Sequence, residues 1–407
     1  MIPVPETGTP ALLTGHTWLA IVGATLGLAA AAYSLLACVG SALRPRRAIP
    51  AANSHLPPIT VLKPLFGAEP RLYQNLRSFC LQDAPVVQII FAVRDGCDPA
   101  IAVVRRLQRE FPAHNLTLVV DPTRHGSNAK VSNLTNAMRR AEHDYLVIAD
   151  SDIGVPPDYL RRVVTPLLNP RTGIVTTPYV GRPVSGRWSQ LGAQFINGWF
   201  MPSVAVAALF GSREFAFGAT IALRRQTLTD IGGFEAIGNQ LADDYRLGEL
   251  TRARGLRTVL SEVVVETSVE EPTLAALVDH ELRWMRTIRS VRPGGYAAAF
   301  TTFPLPMALL GALLSGFGDI AAAALAFTAL ARLVLHFYWR PRGDRSSWTA
   351  LWALPLHDFV VFGVWCWGFL GQKVKWRQSS FHVTRDGAVH PLRRLDGRLM
   401  APPLENE

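Results

Sequence analysis

Between residues 59 and 149 the chain alternates short apolar runs with segments whose apolar positions recur at helical spacing. The apolar runs predict buried strands, and the intervening segments predict helices with one apolar face. The predicted strands cover residues 59–62, 86–93, 116–120 and 145–149, and the predicted helices cover residues 70–81, 100–111 and 132–141. Strands that alternate with helices predict right-handed crossovers and a mostly parallel sheet, so the expected fold class is α/β.

The pattern is less regular in the second half of the chain. Residues 173–177 and 218–224 predict two further strands. Residues 191–210 are strongly apolar and fit either a buried core helix or a helix that lies in a membrane interface. The aromatic residues Trp199 and Phe200 near the middle of this segment favour the interface.

Residues 16–43 form an apolar segment without a single Asp, Glu, Lys or Arg. The segment is long enough to cross a bilayer, which takes about 20 residues, and it exceeds the roughly 7–15 residues of a signal-peptide core. We therefore expect an uncleaved anchor. Arg44, Arg46 and Arg47 follow directly, so the next domain is expected on the cytoplasmic side.

Three more hydrophobic segments, at residues 297–317, 320–339 and 351–370, lie near the C-terminus. Basic residues follow the second and the third, and both groups cannot be cytoplasmic if all three segments cross the membrane. Pro304 and Pro306 make the first segment a candidate re-entrant one.

These patterns divide the chain into three predicted parts. Residues 1–47 hold the anchor, and residues 48–295 form a cytoplasmic domain that begins with a Pro/Ala-rich linker at 48–58. Residues 296–407 hold the C-terminal membrane segments and a basic tail.

The composition agrees with a membrane protein that handles charged ligands. Of the 407 residues, 49% are hydrophobic and 18% are charged, below the roughly 25% typical of soluble domains. The net charge is +10, but the basic residues are dispersed and several flank apolar segments. This favours an anionic leaflet and phosphate-bearing substrates over nucleic acid as partners. The four cysteines lack CxxC spacing, so neither disulfides nor a zinc site is expected.

The sequence Asp150-Ser151-Asp152 directly follows the predicted strand at 145–149. Two carboxylates at the carboxyl end of a buried strand concentrate negative charge at the edge where α/β sheets bind ligands. Mg²⁺ or Mn²⁺ would neutralise that charge, and a nucleotide diphosphate would complete the oxygen ligands of the cation. The alternative is a solvated turn, because Asp and Ser are common turn residues.

Two other polar clusters belong to the same half of the chain. Asp95 and Asp98 follow the second predicted strand and form either a polar loop or a carboxylate site for a nucleotide base or ribose. The loop 125–130 presents backbone N–H groups and the charge of Lys130 ahead of a helix, which suits a diphosphate. The alternative for this loop is a plain helix cap.

Two clusters lie further along the chain. Asp243 and Asp244 precede a predicted helix, where they serve either as its cap or as a general base. In the segment 280–284, Arg283 offers a bidentate fork to phosphate and Trp284 a ring for a sugar or lipid. The alternative for this segment is an interfacial anchor beside a membrane span.

The order of these clusters resembles the inverting, family-2-like glycosyltransferases of the GT-A fold, and more narrowly the ceramide glucosyltransferase family. The segments that carry the likeness are Asp98-Pro99-Ala100, Asp150-Ser151-Asp152, Ala242-Asp243-Asp244-Tyr245 and His280-Glu281-Leu282-Arg283-Trp284. Within that family the sequence most resembles the bacterial hopanoid-biosynthesis-associated glycosyltransferases. The segments 64–70 and 241–248, with 280–284, carry this narrower likeness.

The resemblance implies roles for individual residues. Asp98, with Asp95, would hold the uridine of a UDP-sugar, and Asp150 would contact the nucleotide sugar. Asp152, with Asp150, would bind Mg²⁺ or Mn²⁺. Asp244 would be the catalytic base.

The remaining substrate-binding residues implied are Lys130, Asp243, His280, Arg283 and Trp284. His280 stands where the broader family has Gln or Arg, which leaves the role of that first motif position open. The narrower resemblance implies transfer of N-acetylglucosamine to bacteriohopanetetrol at the bacterial inner membrane.

Three alternatives remain open from the residues. Glucose transfer to ceramide uses the same chemistry and an equally apolar acceptor. A processive polysaccharide synthase needs a transmembrane channel, and few spans remain here to build one. A membrane scaffolding protein would carry the acidic loops without using them.

Overall fold

The computed structural model describes residues 15–44, 56–212, 215–344, 351, 353–376, 379–384, 387–395 and 398–400. Arg46, Arg47 and most of the predicted linker, residues 48–55, lie outside the described residues.

The first four main strands form the parallel sheet that the sequence predicts. They are β1 (Ile59–Pro64), β2 (Val87–Val93), β3 (Asn115–Val120) and β4 (Tyr145–Ile148). Strand β1 lies between β2 and β4, with Ile59 opposite both Val87 and Tyr145. The strand bounds agree with the predicted ones to within about two residues, because buried apolar runs were their signal.

The second half extends this sheet with one antiparallel strand. The further strands are β5 (Ile153–Gly154), β6 (Thr172–Thr176), β7 (Tyr179–Pro183), β8 (Ile221–Arg224), β9 (Arg257–Leu260) and β10 (Val265–Val269). The seven-stranded order is β3-β2-β1-β4-β8-β6-β9, in which β8 runs antiparallel to β4 and to β6. Strands β5, β10 and β7 form a separate three-stranded sheet.

Helices cover both faces of the large sheet. The helices of this part are α2 (Leu72–Cys80), α3 (Ala100–Glu110), α4 (Ala129–Met138), α5 (Tyr159–Val164), α6 (Arg187–Gln194), α7 (Met201–Leu209), α8 (Arg225–Asp230) and α9 (Asp243–Ala253), with 3₁₀ turns at Thr165–Leu168 and Glu235–Ile237. Val61 and Phe91 face a core with α2, α3 and α5. Leu62 and Ile90 face the core with α4 and α8. Alternate side chains along each strand thus pack into two separate cores, one on each face of the sheet.

The apolar segment 191–210 is largely buried, which corrects the predicted preference for a membrane interface. Helix α6 continues through a π-helix, Phe195–Phe200, into α7. Phe195 and Met201 are 2% and 1% exposed because they pack against the C-terminal helices and β7. The aromatic residues that suggested an interface belong to this core. At the far end of the segment Phe210 is 71% exposed.

The remaining helices stand at the two ends of the described chain. They are α1 (Gly15–Ala42), α10 (Leu274–Val291), α11 (Pro293–Ala298), α12 (Pro304–Leu314), α13 (Asp319–Tyr338) and α14 (Ala353–Gly368), with a 3₁₀ turn at Ala299–Thr302. Two helices, at His16–Ala42 and Asp319–Tyr338, are long and apolar enough to cross a membrane. The pair Pro293–Thr302 and Pro304–Leu314 bends by 62°, and counts as a third span if it crosses as one unit. The bend lies at the prolines of the predicted re-entrant segment.

The described C-terminal residues add small antiparallel sheets. Their strands are β11 (Lys373–Trp376), β12 (Ser379–Val383), β13 (Val389–Pro391), β14 (Arg393–Leu395) and β15 (Arg398–Met400). Leu241 packs with Val374, Phe381 and Val389 of this region, and its N–H donates to the Gly387 carbonyl at 3.0 Å. The C-terminal sheet therefore braces the loop that leads into α9.

Candidate active site

Three elements bring charged residues together at the carboxyl edge of the large sheet. Lys130, in the first turn of α4, lies with its Nζ 2.8 Å from Asp150 Oδ1 and 3.2 Å from Asp243 Oδ2. Asp150 follows β4, and Asp243 begins α9. Burial alone would lower the pKa of Lys130, but the carboxylates of Asp150, Asp243 and Asp244 outweigh it and raise that pKa.

Asp244 is held on both oxygens by backbone amides. Gly218 N–H donates to Oδ2 at 2.8 Å, and Tyr245 N–H donates to Oδ1 at 2.7 Å. Burial raises the pKa of Asp244 to about 6, the charge of Asp243 adds to the rise, and Lys130 opposes it. An acid with this pKa is largely ionised at neutral pH and still basic enough to accept a proton.

Gly218 marks the point on which the charged groups converge. A Cβ at this position would lie 3.3 Å from Asp244 Oδ2, 3.4 Å from Asp150 Oδ2 and 3.4 Å from Lys130 Nζ. The two carboxylates therefore face one small space from different elements. This arrangement brings a carboxylate that can accept a proton next to a second carboxylate and a lysine.

Asp152 points toward the small sheet. Its Oδ2 accepts a hydrogen bond from Thr267 Oγ1 of β10 at 2.5 Å. Burial raises the pKa of Asp152, and the neighbouring charge of Asp150 adds to the rise. Asp150 and Asp152 both present carboxylate oxygens, which are ligands that Mg²⁺ and Mn²⁺ prefer. The residues therefore fit a divalent cation, although no group of three or more His, Cys, Asp or Glu side chains suited to a metal occurs among the described residues.

Three of the four backbone amides in loop 125–128 already donate hydrogen bonds within the protein. Ser127 N–H donates to Asn239 Oδ1, and Asn128 N–H donates to the Gly238 carbonyl. The Asn128 side chain accepts from the N–H groups of Lys130 and Val131 and so caps α4. This backbone follows the helix-cap alternative, and the charge that the loop supplies is that of Lys130.

The loop after β1 contacts both the Asp150-Ser151-Asp152 (DxD) segment, through a hydrogen bond from Ser151 Oγ to Glu69, and the predicted site residue Asp98. Asp98 accepts hydrogen bonds from Gly67 N–H at 3.0 Å and from Ala100 N–H at 2.8 Å. Asp95 Oδ1 accepts from Cys97 N–H at 2.9 Å. Both aspartates follow β2, one strand further from β4 than β1, so they lie along the same edge as Asp150. They do not touch the charged cluster around Lys130 through any hydrogen bond found among the described residues.

Lys63 is a site residue that the sequence patterns did not reveal. It is fully buried in β1, and its Nζ donates to the Asp150 carbonyl. Burial lowers the pKa of Lys63 to about 7, opposed by the charges of Asp152, Asp150 and Glu69. A lysine inside an otherwise apolar strand was the available signal, because lysine is almost never fully buried without a partner.

The residues of segment 280–284 lie on α10, and their side chains have different neighbours. His280 Nδ1 lies 2.6 Å from Glu271 Oε1, and its ring meets Trp284 edge to face at 5.0 Å. The Trp284 ring also packs on Phe195 at 5.1 Å. Arg283 lies with its guanidinium 5.9 Å from the Trp376 ring and within electrostatic reach of Tyr179.

Comparison with known proteins identifies the family. The model of glycosyl transferase family 21 matches residues 19–389. The chain belongs to glycosyl transferase family 21. The match includes α1, the charged cluster and the C-terminal helices, so this glycosyltransferase carries the family pattern beyond its sheet domain.

Two similar relatives are ceramide glucosyltransferases of Caenorhabditis elegans. Ceramide glucosyltransferase 3 is 23% identical over 83% of this chain and 75% of its own length. Ceramide glucosyltransferase 1 is 25% identical over 82% of this chain and 73% of its own length. These relatives confirm the predicted resemblance to the ceramide glucosyltransferase family.

Among solved structures, a mannosyltransferase from Pyrobaculum calidifontis in complex with GDP-Man and Mn²⁺ overlaps this glycosyltransferase with a TM-score of 0.47. It is 21% identical and covers 84% of this chain and 98% of its own.

Proposed function

We propose that this glycosyltransferase moves a sugar from a UDP-sugar to the hydroxyl of a membrane lipid, with inversion at the anomeric carbon. The observation that carries the proposal is that Asp244, Asp150 and Lys130 all lie within 3.4 Å of one point, the Cβ position of Gly218. A carboxylate able to accept a proton, next to charged groups that can hold a donor, suits a single displacement.

In this mechanism Asp244 takes the proton of the lipid hydroxyl while the hydroxyl oxygen attacks the anomeric carbon. The new C–O bond forms while the bond to the diphosphate breaks, and UDP leaves with that bonding pair. Lys130 and Arg283 stabilise the negative charge on the departing diphosphate. Asp98, with Asp95, holds the uridine, and Asp150 orients the nucleotide sugar.

Asp150 and Asp152 would hold Mg²⁺ or Mn²⁺, which supplies positive charge to the diphosphate. Asp243 keeps Lys130 in place through their 3.2 Å ion pair. Trp284 and His280 form the acceptor-side wall of α10, where their rings meet.

The helices around the sheet domain support a lipid as the acceptor. Two helices long and apolar enough to cross a membrane support attachment there. We place the enzyme in a bacterial inner membrane as a multi-pass protein with its sheet domain in the cytoplasm, and bacteriohopanetetrol with UDP-N-acetylglucosamine as the substrate pair. The likeness of segments 64–70, 241–248 and 280–284 to the hopanoid-associated enzymes supports this pair.

A second pair, ceramide with UDP-glucose, has support of its own. The curated relatives bear the name ceramide glucosyltransferase. Both substrate pairs would use the same base and the same donor site. Only the identities of the sugar and of the lipid that the enzyme accepts distinguish the two pairs.

The test incubates purified enzyme with each of the two UDP-sugars and each of the two lipids, with Mg²⁺ or Mn²⁺ present. Mass spectrometry identifies the glycolipid, and proton NMR of the product gives its anomeric configuration. Asp244→Asn should reduce transfer by at least about a thousandfold while UDP-sugar binding persists, since the variant loses the base and keeps the shape. Normal turnover by that variant would remove Asp244 from the mechanism.

A further inference from the structure

A cluster of partly exposed aromatic rings lies beside the base and has no part in the mechanism above. Its members are Tyr179 at the start of β7, Phe200 at the end of the π-helix, and Phe217. The Tyr179 and Phe200 rings lie 4.9 Å apart, and the Phe200 and Phe217 rings 5.0 Å apart. We call these three residues the aromatic cluster. Rings that are half-buried yet packed on one another form a preformed apolar surface.

One end of the aromatic cluster joins the base. Phe217 directly precedes Gly218, whose N–H holds Asp244. Burial raises the pKa of Tyr179, the charges of Asp244, Asp152 and Asp150 add to the rise, and Arg283 opposes it. Tyr179 therefore lies within electrostatic reach of the whole charged site.

The other end of the aromatic cluster leads to the candidate membrane helix. The π-helix continues directly into α7, a helix without charged residues. Helix α7 packs on α1, where Tyr33 Oη lies 3.0 Å from Ser203 Oγ. The contact is close, because a Cβ on Gly40 would come within 2.7 Å of the Ala205 carbonyl oxygen. The uncharged helix α7 thus links the aromatic cluster to α1.

The π-helix is fixed from behind. The Gly198 carbonyl accepts a hydrogen bond from Arg332 of α13, and Arg332 forms a buried ion pair with Asp358 of α14. Trp199 Nε1 donates to Thr302 Oγ1 at 2.9 Å. A π-helix departs from the regular α-helical hydrogen-bond pattern and is frequently found at functional sites. These contacts hold Phe200 in position relative to Phe217.

We propose that the aromatic cluster is the acceptor subsite, which binds the part of the membrane lipid next to its reacting hydroxyl. This inference rests on the proposed function and adds the residues that select the acceptor. The occupant is a lipid alcohol because the surface is apolar, begins at a membrane helix and ends at a carboxylate that removes a proton. A fully polar acceptor would place hydroxyl groups against the rings of Phe200 and Phe217, which offer them no hydrogen bonds.

The test compares Phe200→Ala with Phe210→Ala, which removes a 71% exposed ring from the same segment. The enzymes are assayed in detergent micelles with the lipid that the wild type glycosylates. Phe200→Ala should raise the KM for the lipid about tenfold or more, while the KM for the UDP-sugar stays within about twofold. Phe210→Ala should keep both values near those of the wild type.

A short, water-soluble alcohol provides the second measurement. It cannot cover the aromatic cluster, so wild type and Phe200→Ala should use it equally. Phe200→Leu keeps the surface apolar, so its KM for the lipid should lie near the wild-type value. That result would also show that a substitution at position 200 leaves the fold intact.

The outcomes separate this inference from the proposed function. A wild type that hydrolyses UDP-sugar yet glycosylates no lipid contradicts both. A wild type that glycosylates a lipid, together with a Phe200→Ala variant whose lipid KM is unchanged or whose donor KM rises equally, overturns the acceptor subsite alone.

Discussion

The position of the acid limb in the pH profile tests the assignment of Asp244 most directly. Its pKa lies at about 6 against an ordinary value of 3.8. The carboxylate must be ionised to accept a proton, so kcat/KM should fall about tenfold per pH unit below that value. At pH 7 roughly nine-tenths of the enzyme carries the ionised base, and at pH 5 roughly one-tenth.

Two substitutions should move this limb in opposite directions. Lys130→Met removes a positive charge that favours the ionised base, so the limb should shift upward. An opposite charge at this range is worth about 1–3 pKa units. We expect about one unit, because Lys130 also serves Asp150 and Asp243. Asp243→Asn removes the like charge and frees Lys130, so the limb should shift downward.

The assay measures kcat/KM for glycolipid formation from pH 4.5 to 8.5 at one fixed concentration of metal and one ionic strength. The height of each profile will change with the substitutions, but the position of the limb reports the base. Intrinsic fluorescence at every pH verifies that each variant stays folded. If both variants shift the limb in the same direction, or neither shifts it, the limb belongs to another group and the assignment of Asp244 is wrong.

Three further predictions follow from single contacts. Gly218→Ala should lower kcat about tenfold without unfolding the protein, because its Cβ would lie only 3.3 Å from Asp244 Oδ2. The control is Gly186→Ala, whose Cβ meets nothing within 4 Å and which should behave as wild type. Equal kcat values for the two variants would contradict the convergence of charged groups at Gly218. Lys63→Met removes the hydrogen-bond donor to the Asp150 carbonyl, so the Mg²⁺ or Mn²⁺ concentration needed for half-maximal activity should rise about 10–100-fold. Lys375→Met, which changes an exposed lysine, should leave that concentration unchanged. Burial raises the pKa of Glu281 from 4.5 to about 8, so the folded state binds the extra proton and the wild type should lose stability as pH rises between those values. Glu281→Gln should therefore gain thermal stability relative to wild type from pH 6 to pH 8, and parallel melting curves would contradict this.

The sheet domain was predictable because its signals are local. Each strand of the parallel half is a short apolar run, and each helix buries one face, so the periods of two and 3.6 residues can be seen without knowing the partners. The same reasoning placed Asp150 and Asp152 at the carboxyl edge, because that position depends on one strand alone. Pairing is not local, and the antiparallel insertion of β8 between β4 and β6 went unpredicted.

The interface prediction for residues 191–210 was wrong for a related reason. Trp199 and Phe200 have the composition of interface residues, but whether such rings meet lipid or protein depends on distant segments. Phe303 stacks on Trp199 at 5.7 Å, and it lies more than a hundred residues away in sequence. Aromatic content therefore indicates a surface to be covered, and only the tertiary structure determines what covers it.

The antiparallel strand has a consequence for catalysis. Because β8 returns beside β4, Gly218, which precedes it, comes level with Asp150, which follows β4. The parallel half alone would carry Asp150 and Lys130 without Asp244. The return strand places Gly218 N–H where it can hold Asp244, through a hydrogen bond from backbone to side chain between residues 26 positions apart. Glycine at 218 leaves room for both carboxylates, and the aromatic residue before it belongs to the aromatic cluster. In the proposed mechanism the same short segment therefore holds the base and lies beside the acceptor subsite.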